Sequence, residues 1–240
     1  MVSKNQLKLI KSLHQKKYRN QYGLFFVEGL KTVKELLSSD FESEYIIVTD
    51  ELKKHFENYE FLSITNNELK KISAFQNPSG VLAVFKIPKN KPVDYEDWIV
   101  ALDDVRDPGN LGAVIRLCDW FGISNLVCSK ATVDCFNPKV LQATMGSITR
   151  VNVQYSDLNT LVTSAHMPVY GAFMDGESVY TENIPKKGIL MMGNEANGIS
   201  DDLENLIKNK ISIPQFGNVT TESLNVATAT AILLNEIRRS

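Results

Sequence analysis

Short apolar runs of strand length recur along the first third of the chain: "GLFFV" (23–27), "YIIV" (45–48), "FLSI" (61–64) and "VLAVF" (81–85). Between them "LKTVKELLSS", "DELKKHF" and "NNELKKIS" space their apolar residues at helical intervals, with Asp50 and Asn66 as the expected N-caps. The alternation continues with longer helices. Strands are predicted at 98–102 ("WIVAL"), 125–128 ("NLVC"), 151–153, 169–173 ("VYGAF"), 188–192 ("GILMM") and 210–213 ("KISI"). Helices are predicted over 110–121, 138–146, 157–165, 201–208 and 223–238. Continuously apolar strands set between helices imply an α/β domain with a mostly parallel sheet covered on both faces. "FKIPKNKPVDYED" (85–97) breaks the pattern with two prolines and three lysines, so a small α/β domain at 1–90 and a larger one at 91–240 are expected.

Charge sharpens that division. Residues 1–92 hold 15 Lys/Arg against 10 Asp/Glu, whereas residues 93–240 hold 11 against 18. In the first 34 residues eight cationic side chains, Lys4 to Lys34, meet only Glu28. A basic N-terminal part joined to an acidic one fits a split between polyanion docking and another task, although a solvated helix face reads the same way. The lysines that interrupt "MVSKNQLKLIKSLHQKK" argue against a secretory signal, and no run reaches membrane-spanning length. Cys118, Cys128 and Cys135 show no C-x-x-C spacing, and His14, His55 and His166 are scattered, so neither a disulfide framework nor a metal site is expected. The composition is that of a reduced, cytoplasmic protein without a membrane partner.

Candidate chemistry gathers in three loops expected at the carboxyl ends of the parallel strands, where such sheets bind ligands. "DDVRDPGNLG" leads into a helix that Asn110 can cap. That helix carries Arg116 among apolar neighbours, as though a guanidinium were buried and needed a partner. "GNEANGIS" places Glu195 straight after a strand, where it could pair with Arg116, between the permissive Gly193 and Gly198. In "ISIPQFGNVTTESLNVATATAILLNEI" Ser223 is the expected N-cap with Asn225 in the first turn, followed by small residues from Ala227 to Ala231. Each loop also has a purely structural reading. G-x-G-x-x-G is absent, which disfavours a dinucleotide fold.

Three ordered segments resemble the SpoU/TrmH family of RNA 2′-O-ribose methyltransferases, within the SPOUT superfamily. "NLGAVIR" is similar to N-x-G-x-x-x-R, "GNEANG" to G-x-E-x-x-G, and "IPQFGNVTTESLNVATATAI" to I-P-x-x-G…S-L-N-V. "SLHQKKYRNQYGLFFVEGLKTVKELL" and "NPSGVLAVF" resemble the family's accessory RNA-binding domain, a fold shared with some ribosomal proteins. This chain departs from the pattern with about two extra residues between Gly217 and Ser223, Gln215 where Met is usual, and Ala227 where a small hydroxyl residue is frequent.

The resemblance implies a deep trefoil knot near the C-terminus, with S-adenosylmethionine bound among its loops by Gly193, Ile213 and Leu224, flanked by Asn194 and Gly198. It implies a homodimer through the first and last helices of the C-terminal domain. Arg116 and Asn110 would reach the reacting ribose and adjacent phosphate, while Glu195, Ser223 and Asn225 fix them. Arg116 as general base and Arg116 as orienting group both stay open. RNA contacts would fall on Lys11, His14, Lys16, Lys17, Arg19 and Lys31. Ribosomal RNA is the favoured substrate; transfer RNA, or a non-catalytic RNA-binding or ribosome-assembly role, are the alternatives.

Overall fold

The computed structural model describes residues 1–217 and 223–239. In chain order the first elements are α1 (Lys4–Ser12), α2 (Lys16–Tyr22), β1 (Leu24–Glu28), α3 (Leu30–Leu37), β2 (Ser43–Val48), β3 (Leu62–Ser63), α4 (Asn66–Ile72) and β4 (Val81–Lys86). Then follow β5 (Ile99–Leu102), α5 (Pro108–Trp120), β6 (Asn125–Cys128), α6 (Pro138–Thr144), β7 (Asn152–Tyr155) and α7 (Leu158–Ser164). The chain continues through β8 (Val169–Ser178), β9 (Ile189–Met192), α8 (Asp201–Glu204), β10 (Asn209–Ser212) and α9 (Val226–Arg239). These elements fall into two compact units: Met1–Lys89 with Asp134–Thr149, and Asn90–Val133 with Arg150–Ser240.

In the first unit the sheet order is β1-β4-β2-β3, antiparallel except for the β2/β3 pair. Ile10 and Leu13 from the N-terminal helical segment join Phe26, Ile47, Leu82 and Val84 of the sheet and Leu69 and Ile72 of α4 in one core cluster. The helix predicted over "DELKKHF" is a short 3₁₀ turn, Asp50–His55, which follows Thr49. Thr65, rather than Asn66, caps α4, and Glu68 returns the bond in a reciprocal capping box. The segment Asp134–Thr149 leaves the larger sheet after β6 and belongs to this unit, where Phe136 packs its ring 4.6 Å from that of Phe25.

Arg19 explains part of that attachment. Its side chain is 2% exposed, ion-paired to Asp134, and donates from Nη1 to Leu13 O at 2.8 Å and His14 O at 3.0 Å. A buried guanidinium with a carboxylate and two carbonyls has the partners its charge requires. His14 is half-buried; its Nε2 donates to Ile72 O at 2.8 Å, and its ring lies against Phe26.

The second unit holds a six-stranded, wholly parallel sheet of order β10-β8-β9-β5-β6-β7. Strands β5, β6 and β9 are buried along their full length, as a sheet covered on both faces demands. Helix α9 packs against α5. Arg238 clasps their far ends: its guanidinium donates to both Asp97 carboxylate oxygens at 2.8 and 2.7 Å and to the carbonyls of Phe121 (2.8 Å) and Gly122 (3.1 Å). Asp97 is 43% exposed, so screening limits the loss in Arg238→Ala to about 1–2 kcal/mol, read as a lower urea midpoint. Arg238 holds the Asp97 carboxyl below its usual range. The ion pair is therefore complete above about pH 4 and fades as pH falls through the lowered value, where the gap between the wild-type and Arg238→Ala stability curves should narrow to the share of the carbonyl bonds.

Candidate active site

The loop after β5 is built by its own side chains. Asp107, not Asn110, caps α5: its carboxylate accepts from Asn110 N at 2.8 Å, with Pro108 pre-set in the first turn. Asp104 adopts a left-handed backbone, φ 55°. Its carboxylate receives two Arg106 donors at 2.8 and 2.7 Å, and its carbonyl accepts from Asn194 Nδ2 at 2.7 Å. Asp103 Oδ2 accepts from Ser200 N at 2.9 Å. The first and second loops are thereby tied together by two aspartates that sequence reasoning passed over.

The second loop folds on itself. Asn194 and Gly198 exchange backbone hydrogen bonds at 2.8 and 2.9 Å, and Asn194 Oδ1 accepts from Ala196 N at 2.8 Å. The polar atoms of Asn194 are thus committed to shaping the loop. Gly193 lies against that closure: a Cβ there would come within 2.1 Å of Gly198 C and 2.2 Å of Ile199 N.

All three loops meet in a side-chain relay. Asn225 Nδ2 donates to Asn110 Oδ1 at 2.8 Å, and Asn110 Nδ2 donates to Glu195 Oε1 at 2.7 Å. Asn225 Oδ1 accepts from Ala227 N at 2.9 Å, so Asn225, rather than Ser223, is the N-cap of α9. The capping bond fixes which side of the Asn225 amide is oxygen, and that in turn fixes the Asn110 amide, whose second N–H has no partner among the described residues.

Beside the relay is a cavity of about 720 Å³. Ile199, Ile211, Ile213, Val226 and Leu233 give it apolar walls, while Glu195 and Ser223 add polar groups. Gly193, Asn194, Gly198, Ile213 and Leu224, the expected cofactor-binding residues, all line it. Ala172, Phe173 and Met174 line it too. Sequence reasoning read Ala172 and Phe173 only as strand and ended that strand at 173, before Met174; the strand runs on to Ser178, and only the apolar "AFM" after Gly171 hinted at a further wall.

Arg116 departs from expectation. It is exposed, and no hydrogen bond or ion pair holds it among the described residues. The buried side of α5 consists of Leu111, Gly112, Val114, Ile115 and Cys118, while Arg116 shares the open side with Trp120, which is 84% exposed. The relay that was expected to receive Arg116 is closed by Asn110 instead.

A model of the SpoU rRNA Methylase family matches residues 97–235. The chain belongs to that family. A model of the MRM3-like substrate binding domain matches residues 4–83 of this SpoU-family chain. The Bacillus subtilis protein named 23S rRNA (guanosine(2553)-2′-O)-methyltransferase RlmP is 31% identical over 245 residues, covering 98% of this chain and 97% of that protein. A Porphyromonas gingivalis protein assigned to the TrmH family of RNA methyltransferases superimposes with a TM-score of 0.90 at 36% identity, covering 100% and 99% of the two chains. An AdoMet-bound rRNA methyltransferase from Sinorhizobium meliloti superimposes with a TM-score of 0.86 at 29% identity, covering 100% and 97%.

Among the described residues of this SpoU-family chain no group of three or more His, Cys, Asp or Glu could hold a metal ion, and no helix is long and apolar enough to cross a membrane. Of the expected RNA contacts, Lys11, Lys16, Lys17 and Lys31 are exposed. Arg19 is not available to RNA, because burial and Asp134 have claimed its charge. The two extra residues expected between Gly217 and Ser223 fall in 218–222, outside the described residues.

Proposed function

We propose that this chain is an S-adenosylmethionine-dependent RNA ribose 2′-O-methyltransferase acting on ribosomal RNA. The observation that carries the reading is the Asn225–Asn110–Glu195 relay standing beside the 720 Å³ cavity. The methyl-donor site fits the residues present. Its volume lies within the usual range for small-molecule pockets, its walls are aliphatic, and Gly193 brings bare backbone to its edge. Gly193, Ile213 and Leu224 would hold S-adenosylmethionine, with Gly198 and Asn194 shaping the loop around it. When bound, that group supplies an electrophilic methyl carbon on sulfur.

The chain's own residues position the other reactant. The remaining Asn110 N–H points a donor at a ribose oxygen or phosphate, and Glu195 and Asn225 keep the amide from rotating. Arg116, one and a half turns along α5, brings a permanent positive charge to the neighbouring phosphate. A guanidinium that stays protonated orients a nucleophile better than it accepts a proton, so orientation is its assigned role. Ser223 on the cavity rim completes the proposed set.

Several finer features belong to the same reading. A trefoil knot is supported by β10 lying at the edge beyond β8 while α9 returns to pack on α5. Pairing of two copies through α5 and α9 is supported by the exposed Trp120 at the end of α5. The substrate-binding match and the names of the relatives favour rRNA, and the full-length match to a Bacillus subtilis protein favours the cytoplasm.

Two measurements test this. Calorimetry should show one S-adenosylmethionine site per chain, and tritiated methyl groups should enter 23S rRNA from cells lacking the gene but not tRNA. Binding of RNA without binding of S-adenosylmethionine would instead favour a non-catalytic assembly factor.

A further inference from the structure

We infer that the outward face of α2 is a stacking platform for an unpaired RNA nucleotide, read by Tyr18 and Tyr22 and separate from the nucleotide that receives the methyl group. This deepens the proposed function and rests on it.

The tyrosines stand four residues apart on one side of the helix, with ring centroids 6.3 Å apart and planes inclined by 15°. Tyr22 is 47% exposed and Tyr18 half-buried, so one pair presents both an anchored ring and an open one. Lys17 Nζ lies 5.8 Å from the Tyr18 ring centroid. The other outward side chains of α2 are Lys16, Asn20 and Gln21, all exposed, and residues 1–27 contain no Asp or Glu.

This surface offers π-faces, ammonium groups and amides, with no aliphatic patch. A protein partner would ask for apolar area, and a bare polyphosphate would not need the rings. A base has a face for tyrosine, edges for the amides and a phosphate on each side for lysine. Paired bases in an A-form helix keep their faces covered, so the nucleotide must be unpaired.

Rigidity is supplied from beneath. Arg19 points inward from the same helix to Asp134 and to the carbonyls of Leu13 and His14, and Gly23 ends the helix with φ 63°. Arg19 therefore serves RNA binding by holding the platform. A helix fixed in this way presents its rings without further ordering, which favours stacking over transient contact.

The test uses the full chain. Wild-type protein should bind single-stranded, unpaired poly(A) RNA more tightly than a blunt RNA duplex of equal length. Tyr22→Ala should weaken poly(A) binding and raise the KM for 23S rRNA by about tenfold, while kcat and S-adenosylmethionine affinity stay at wild-type values. Tyr22→Phe should stay near wild type, because the ring and not the hydroxyl stacks. Lys17→Ala should reduce the slope of log affinity against log salt by about one.

Equal affinity for duplex and poly(A), or a Tyr22→Ala enzyme with wild-type KM, overturns the platform. So does a Tyr22→Ala enzyme impaired only on ribosomal particles and normal on bare rRNA, which would make the face a protein contact. In each of those cases methyl incorporation and S-adenosylmethionine binding by wild-type protein persist. Their absence would instead count against the proposed function.

Discussion

Arg116→Ala is expected to lower methyl transfer to rRNA by about 10²- to 10³-fold while leaving folding and S-adenosylmethionine affinity unchanged. The separation follows from where the side chain lies. An exposed residue with no partner among the described residues contributes little to stability, so its removal should shift the urea midpoint by less than about 0.5 kcal/mol equivalent. It does not line the cavity, so calorimetry with S-adenosylmethionine should not register its loss. What the substitution removes is a charge poised on the open face of α5, six residues beyond the Asn110 amide. Single-turnover incorporation of tritiated methyl is the decisive readout, because it isolates the chemical step from product release. Arg116→Lys should recover only part of the rate, since an ammonium cannot present the planar donor pair. A variant with full single-turnover rate would take Arg116 out of the reaction, and a variant with a lowered midpoint would make it structural.

The contrast between the sequence reading of Arg116 and its position shows where patterning informs and where it misleads. All ten apolar runs became strands, because period-independent apolar stretches between helices have few other uses in an α/β chain. Arg116 was read against its neighbours in the string, which are apolar on both sides. A helix sorts those neighbours by angle, so Leu111, Val114, Ile115 and Cys118 turn inward and Arg116 turns out with Trp120. Arg19 is the mirror image: in a string of lysines it reads as a surface cation, and only Asp134, 115 residues away, reveals that it is buried. The helices α1 and α2 were hidden for the same reason: charge density masked Ile10, the buried residue of α1, and the buried residue of α2 is Arg19 itself. The three loops were legible as a group because strand order brings carboxyl ends together. The partners within the group were not, since Glu195 could equally have met a guanidinium or the Asn110 amide.

Gly193→Ala is expected to abolish detectable S-adenosylmethionine binding and, with it, methyl transfer. The cause is a collision with main chain rather than with a side chain that could swing away. The added methyl would lie 2.1 Å from Gly198 C, 2.2 Å from Ile199 N and 2.5 Å from Gly198 O. Relief requires the Asn194–Gly198 closure to open, which also breaks the bond from Asn194 Nδ2 to Asp104 O and displaces Glu195 from Asn110. Overpacking of this kind costs about 1–3 kcal/mol, so the urea midpoint should fall while the parallel sheet still folds. Gly198→Ala is the matched control. Among the described residues nothing lies within 4 Å of a Cβ there, but its φ of 70° disfavours a side chain, so it should lose only about 1–2 kcal/mol of stability. Gly198→Ala protein should retain measurable S-adenosylmethionine binding, because its backbone can keep the loop closed. If both variants lose binding equally, loop strain rather than the approach at Gly193 controls the site. If Gly193→Ala binds normally, the cavity edge is more compliant than a 2.1 Å approach allows, and the donor must sit elsewhere in the fold.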